Sequence, residues 1–404
     1  MEKKLRVAVI GGGAAGFFAA LSVAEHHPKA HVILFEKTNK FLSKVKISGG
    51  GRCNVTHNCT SIPDLIQAYP RGGRQLRNLF YQFQPSDTRE WFESRGVPLK
   101  TEADGRMFPQ SDSSQSIIDC LENACNLANV ERRPNTAVEK LIVEENQWSL
   151  QLKGGTVKFD RVIVTTGGSP KAKGFEWLTA LGHRIESPVP SLFTFNMPTE
   201  SIRSLMGLVA PHATVQIIDT KIKTEGPLLI THWGMSGPAV LKASAFGARI
   251  LAERKYHFSV RIQWLSKDIP DIFDAVEQVS KQFPNQKITK RQPFDLPNRL
   301  WLYFIEKLNL PEDRKWNELG QKNRNRLVEL LTNDIYEVAG KTTFKEEFVT
   351  CGGVSLEAIN LKTMESKKHP GLYFAGEVLD IDAITGGYNF QAAWSGGFVA
   401  GKLE

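Results

Sequence analysis

The chain has few cysteines: five in 404 residues, an odd number, widely spread and without a Cys-x-x-Cys pair. A disulfide framework needs an even set at close spacing, so these thiols point to a reducing compartment. Cys120 and Cys125 have the spacing of a flavin-linked redox disulfide. They lie in SIIDCLENACNLA, however, whose apolar period is that of an amphipathic helix, where residues five apart point in different directions. No Cys/His group has zinc-ligand spacing, and no metal is expected. Long apolar runs are also lacking. The N-terminal MEKKLRVAVIGGGAAGFFAAL has the lysines and small apolar residues of a secretory signal, but three glycines interrupt it, and no other stretch nears eighteen apolar residues. The expectation is a cytoplasmic protein with no membrane partner.

What is present is ordinary for a folded protein of two or three domains: 41% hydrophobic and 23% charged residues. The net charge is +8, and residues 191–345 hold 22 Lys and Arg against 16 Asp and Glu, which is +6 of it. Such a surplus attracts nucleic acid or an anionic substrate, or is only a solvated face. The solvated face is the plainer expectation.

Residues 6–35 organise the rest. A β-branched run, RVAVI, meets Gly11-x-Gly13-x-x-Gly16, then a helical stretch, then a second strand, HVILF, ending on Glu36 twenty residues after Gly16. This is the order of a dinucleotide fold. Gly11 makes the turn, Gly13 admits a pyrophosphate, Gly16 lets helix and strand pack closely, and the acid takes a ribose diol. Phosphate sits at the helix amino end, where free N–H groups and the dipole favour negative charge. The motif alone leaves NAD and FAD both open.

Further along, KTNKFLSKVKISGGGRCNVTH (37–57) reads as a loop toward the ligand, with Gly49-Gly50-Gly51 for close backbone approach, Arg52 for a phosphate or carbonyl and Asn54 as donor and acceptor. Residues 61–96 read as mostly helical, 97–109 as a hairpin around Ala103-Asp104-Gly105, and 130–164 as short strands with turns at Glu145-Asn146 and Gly154-Gly155. The strand ending at Thr165 runs into Thr166-Gly167-Gly168, a second close approach of backbone to ligand. SPVPS (187–191) is a proline-punctuated joint. The insert beyond it has strands near 192–195, 214–218 and 257–264 and helical stretches at 271–282 and 296–338, but no second GxGxxG. A final strand, 372–375, leads to Gly376, Glu377, Asp380, Asp382 and the run TGGYNFQ before a helix of small residues. Asp380 suits flavin ribityl hydroxyls, and the N–H groups of Gly387 and Tyr388 suit a reduced ring.

Three separated motifs now stand together: GGGAAG with Glu36, ISGGGRCNVTH, and LYFAGEVLDIDAITGGYNFQAAWSGG. With TTGGS and THWGMSGPAV, they resemble the HI0933-like flavoproteins, the BaiN (YhiN) or aminoacetone oxidase family of bacterial FAD-dependent oxidoreductases. The resemblance covers nearly the whole chain. It implies an α/β fold: a glutathione-reductase-like, Rossmann-type FAD-binding domain (1–190 and 346–404), with an inserted domain at 191–345 that is β-barrel-like to about 265 and helical after it. It also implies FAD contacts from Gly11, Gly13, Ala15, Gly16, Glu36, Lys37, Arg52, Asn54, Val138, Thr166, Gly167, Gly376, Glu377, Asp380, Gly387, Asn389 and Gln391. Members usually carry a longer loop after the TGG turn than GGSPKAKGFEWLTALGH, so this chain's substrate-side wall differs.

The expected activity is oxidoreduction of a small organic substrate through FAD, with NAD(P)H as a transient donor. Tyr388 and His232 are the candidates for substrate contact or proton transfer; for His232 a turn residue satisfied by backbone is the plainer expectation. The expected partner is a small-molecule substrate and not nucleic acid; two alternatives stay open: a flavoprotein that binds nucleic acid for RNA modification through the basic insert, and a flavin redox sensor without turnover.

Overall fold

The computed structural model describes residues 4–145, 147–342 and 349–404. It divides into two compact units, Met1–Ser191 with Phe344–Glu404, and Leu192–Thr343. The start of the return segment TTFKEEFVTCGGV, the boundary at 345/346 and Asn146 of the expected 145–146 turn lie outside the described residues.

The first unit is built on a seven-stranded sheet. Its order is Ile359–Asn360, Glu365–Ser366, Leu372–Phe374, Arg161–Val164, Arg6–Ile10, His31–Phe35 and Glu131–Arg133. The last five are parallel, with Arg6 opposite His31 and Val7 opposite Arg161. Strands covered on both faces need continuous apolar runs rather than alternation, and Val7, Ala8, Val9, Ile33, Leu34, Val162, Ile163 and Val164 are all fully buried. Parallel pairing puts the carboxyl ends of Arg6–Ile10, Arg161–Val164 and Leu372–Phe374 on one edge, which is where ligands bind in such sheets.

The helix Ala14–His26 is buried through most of its length, from Ala15 to Val23. Small residues let the C-terminal helix Tyr388–Ala400 lie directly on it. A Cβ on Gly397 would stand 2.5 Å from the Ala15 carbonyl oxygen, and one on Gly401, just past the helix, 2.6 Å from that of Ala19. Around this pair, Phe18 packs on Trp91 at 4.6 Å and on Trp394 at 4.7 Å between ring centroids. Such pairs add about 0.5–1.5 kcal/mol each beyond the area they bury.

The second unit has its own core, with Phe193, Ile230, Trp264, Trp301 and Tyr336 among its fully buried members. Its sheet runs Asp334–Ala339, His257–Gln263, Val209–Ile217, Lys223–Thr231, Gly234–Ser236, Thr194–Asn196 and Lys341–Thr342. The two end strands of this order are consecutive in the chain, separated only by Gly340. The sheet therefore curls back on itself in the barrel-like manner expected of the insert.

Three local readings need correction. The stretch 37–57 is not all loop, since Ser43–Gly51 begins as a helix that breaks where Ser48 turns extended and Gly49 and Gly50 take left-handed conformations. Pro238–Glu253 is a 16-residue helix inside the segment expected to be strands, opened by proline in its first turn. Residues 334–339, read as the end of a helix, form a strand whose exposure alternates residue by residue. That alternation is the strand period, and the helical pattern before it masked the change. Cys120 and Cys125 are both unbridged on the helix Ser114–Leu127.

Candidate functional site

The fingerprint turn is clamped from both sides. Gly11 N–H donates to the Phe35 carbonyl at 2.8 Å, and the Thr165 hydroxyl donates to the carbonyls of Ile10 and Gly11 at 3.0 and 2.9 Å. Gly11 has φ +116°, and a Cβ there would lie 2.4 Å from the Thr165 oxygen. A Cβ on Gly16 would be 1.9 Å from the Gly11 oxygen, which is the close helix–strand contact the motif requires. Gly13 is the opposite case, with no atom within 4 Å of where its Cβ would point. That glycine faces open space at the amino end of a 13-residue helix that has no side-chain cap and no acid in its first turn. Unsatisfied N–H groups, a positive dipole end and open space fit a pyrophosphate.

Glu36 stands beside this turn. Its Oε2 accepts from Gly12 N–H at 2.9 Å, and its Oε1 from the backbone N–H and hydroxyl of Thr38, both at 2.9 Å. The acid is thus oriented from three sides. Thr166, exposed, and Gly167, with φ +73° and open space at its Cβ position, lie beyond the neighbouring strand, and Gly376 follows the next one. Gly376 approaches so closely that its Cβ would be 2.9 Å from that of Ala15. Gly11, Gly13, Gly16, Glu36, Thr166, Gly167 and Gly376 therefore share one sheet edge. Lys37 is exposed after Glu36, and Val138 opens the strand Val138–Val143.

Several expected contact residues are occupied by the fold itself. Gln391 is fully buried; its oxygen accepts from Thr56 and Thr88 at 2.6 and 2.9 Å, and its nitrogen donates to Ser395 at 3.0 Å. Asn389 brackets both backbone groups of Ala383, at 3.0 and 3.1 Å. The Gly387 N–H, expected to face a reduced ring, lies 3.0 Å from the Asn54 side-chain amide, whose oxygen accepts from it when that amide is turned to match its donors and acceptors. A Cβ on Gly387 would meet Thr56 at 2.5 Å, so glycine there is a packing need. Arg52 pairs with Glu102 at 2.7 Å and lies 4.0 Å over the Phe108 ring. Glu377 pairs with Lys44 at 2.6 Å and accepts from Thr350 N–H at 2.8 Å. Ala15 packs against Gly376 and Gly397. These side chains brace the backbone around them through contacts within the protein. Sequence pattern separates poorly the residues that touch a ligand from those that hold the ones that do.

Tyr388 opens the last helix. Its ring stacks on His57 at 4.7 Å with 18° between planes, and its backbone carbonyl accepts from the Tyr69 hydroxyl at 2.7 Å. Its own hydroxyl has no hydrogen-bond partner among the described residues, and burial pushes the phenol up to about 12. Asp380 holds its backbone N–H on Val354. His232 lies in the other unit, exposed, its ring against Trp233 and its carbonyl accepting from Arg203 at 2.8 Å. Thr165 and His57 were missed as site residues, although His57 closes the ISGGGRCNVTH motif and so was signalled. Among the described residues no group of three or more His, Cys, Asp or Glu is arranged to hold a metal, and no helix is long and apolar enough to cross a membrane.

A Rossmann sheet with a dinucleotide fingerprint at its carboxyl edge, continued by flavoprotein motifs from two later segments, defines an FAD-dependent oxidoreductase. The family description HI0933-like protein Rossmann domain matches residues 5–403, and the chain belongs to that family. It is 29% identical over 396 residues to a ribosomal RNA dihydrouridine synthase of Escherichia coli, covering 96% of this chain and 94% of that one. It is 26% identical over 406 residues to a 3-dehydro-bile acid delta(4,6)-reductase of Clostridium scindens, with 98% of each covered. In fold it is similar to the 3-ketosteroid delta1-dehydrogenase of Sterolibacterium denitrificans, at TM-score 0.52 and 13% identity, with 98% of each chain covered.

Proposed function

We propose that this enzyme reduces a carbon–carbon double bond conjugated to a carbonyl, and that the bond is the one in the uracil ring of ribosomal RNA. The two curated enzymes reported above have names that differ in substrate, a ribosomal RNA and a 3-dehydro-bile acid, and both names fit saturation of a C=C bond conjugated to a carbonyl. The cofactor, once reduced by NAD(P)H, supplies hydride. The chain must hold the alkene at the sheet edge, exclude water and deliver one proton. Hydride adds to the carbon β to the carbonyl, a proton adds to the α carbon, and the donor phenol is reprotonated from solvent.

The observation that carries this reading is Tyr388. Its ring is fixed by His57, its backbone by Tyr69, and its hydroxyl has no partner among the described residues and stays protonated at neutral pH. A positioned acid of this kind is worth roughly 10²–10⁴ in rate. RNA is favoured over a free small molecule by the +6 of residues 191–345 and by the Escherichia coli enzyme. A cyclic enone is the second reading, favoured by the Clostridium scindens enzyme.

The test incubates the FAD-loaded enzyme and NADPH with unmodified ribosomal RNA and, separately, with an unsaturated 3-keto steroid. The products are then analysed for the gain of two hydrogens. Dihydrouridine in the RNA digest supports the first reading; saturation of the steroid alone supports the second, and neither product leaves a redox sensor. Tyr388→Phe is expected to slow the productive reaction about 100-fold while NADPH still bleaches the flavin at the wild-type rate. Unchanged product formation would remove Tyr388 from the chemistry.

A further inference from the structure

The excess charge of the second unit is concentrated. Residues 287–326 contain ten Lys and Arg against five Asp and Glu, which is +5 of the +6 in the insert. The fold makes a rigid mount for these cations. The turn after the helix Ile269–Gln282 is laced to the segment before the helix Gly320–Thr332. Ile288 N–H donates to Arg314 at 2.9 Å, Trp316 N–H to Gln286 at 3.1 Å, and Asn317 N–H to Pro284 at 3.0 Å. Lys287 and Lys315 face each other in an antiparallel bridge.

Two buried indoles hold this clasp from beneath. Trp301 donates to the Ile288 carbonyl at 2.7 Å, and Trp316 to that of Arg291 at 3.1 Å. The clasp displays Lys287, Lys290, Arg291 and Lys315, all exposed. The helix Gly320–Thr332 follows directly and buries Leu327, Val328 and Leu331, while Lys322 and Arg326, one turn apart, stay in solvent. Among the described residues none of these six cations is held in an ion pair, whereas Lys281 and Lys307 of the same unit pair with Glu277 and Asp334. Glu312, Asp313, Glu318 and Glu329 are the acids nearest in the chain; Glu318 is turned back onto the Lys315 N–H at 3.1 Å, and Glu329 accepts from the Asn333 side chain.

We infer that this clasp and the first turns of the helix after it form the docking surface for the phosphodiester backbone of RNA. Like charges fixed this close repel, and a polyanion that releases counterions when it binds relieves that repulsion. Point-charge lysines on a fixed backbone position a nucleic acid without reading its sequence. The inference rests on the RNA reading above and adds the surface that grips the substrate.

The experiment measures anisotropy of a fluorescently labelled, unmodified ribosomal RNA transcript against the FAD-loaded full chain over a salt series. The variant is Lys287→Glu/Lys290→Glu/Lys315→Glu, and the control is Lys140→Glu/Lys153→Glu, at exposed lysines of the first unit. The triple variant is expected to bind at least about 10-fold more weakly and to flatten the log–log salt slope by about 2, since each lost phosphate contact removes roughly 0.7–0.9. NADPH should bleach its flavin as in wild type, and the control should bind normally. If wild type makes dihydrouridine and the triple variant binds RNA equally well, the docking surface is overturned and the function stands. If wild type neither binds nor reduces RNA, both fall. If the triple variant loses affinity for phosphatidylserine vesicles and not for RNA, the surface is a membrane contact and the inference is overturned.

Discussion

Gly13→Asp is expected to give a well-folded protein that purifies without yellow colour. The position is the N-cap of the helix Ala14–His26, with extended backbone at φ −93° and ψ −168° and no atom within 4 Å of the Cβ direction. Aspartate is a favoured N-cap: its carboxylate accepts from the second or third N–H of the helix, so stability should hold or rise by a few tenths of a kcal/mol. The same carboxylate occupies the place where a pyrophosphate meets those N–H groups, and it adds a negative charge there. Loss of this subsite should weaken FAD binding at least about 100-fold, which is about 2.7 kcal/mol. The opposite signs of the two effects are the point of the experiment. Gly16→Ala, whose Cβ would strike the Gly11 oxygen, is expected to lose stability and cofactor together. Flavin content by absorbance and urea midpoints on both variants check this, and a Gly13→Asp protein that retains stoichiometric FAD would show that the pyrophosphate lies elsewhere.

The dinucleotide half of the site was legible because its requirements are local. Gly11, Gly13, Gly16 and Glu36 lie within one strand–helix–strand unit, and the backbone geometry that demands each glycine can be read from spacing. The flavin half was legible only as composition. GGYNFQ announces a glycine turn before a helix, but the amides of Asn389 and Gln391, expected at the ligand, hydrogen-bond inside the protein. A buried amide and a ligand-binding amide look alike in sequence, because both are polar groups in an apolar context. Which one applies depends on partners more than three hundred residues away in the chain, such as Thr56 and Thr88 for Gln391. Thr165 was missed for the same reason, since its hydroxyl matters only once the parallel register places it against Ile10 and Gly11.

In the insert, the barrel-like closure was expected only through the family resemblance. Strand pairing between segments such as 209–217 and 257–263 leaves no local trace. Asp334–Ala339 follows a helix directly and was absorbed into it, although Ile335, Glu337 and Ala339 are exposed while Asp334, Tyr336 and Val338 are buried. Conversely, the clasp of residues 283–292 and 312–317 has almost no regular secondary structure, and its second half fell inside the stretch 296–338 that was read as helical.

The carboxylate of Asp382 is fully buried, paired with the Arg71 guanidinium through both oxygens, and accepts the Ser191 hydroxyl at 2.6 Å. Burial pushes its pKa up, and Arg71, with 11% of its side chain exposed, opposes that push. Asp382→Ala leaves a guanidinium in the interior without its counter-charge, and the expected cost is about 3–5 kcal/mol. Arg71→Leu alone should cost a similar amount. The double variant Arg71→Leu/Asp382→Leu should regain most of it, because taking two charges out of water offsets nearly all of their attraction. Urea unfolding of all three variants measures this, and single losses below about 1 kcal/mol, or a double loss equal to the sum of the singles, would show that the pair is not acting as a buried unit. The consequence reaches the chemistry. Ser191 ends the first of the two segments of its unit, and Asp382 precedes Ala383, whose backbone Asn389 brackets, and Ile384, whose N–H donates to Ala68 at 2.9 Å. That chain of contacts sets the turn from which Tyr388 emerges. Asp382→Asn keeps the shape and the Ser191 contact, and it should lower turnover less than Asp382→Ala at equal flavin content. Equal turnover in the two would mean that the orientation of Tyr388 depends on the His57 stack alone.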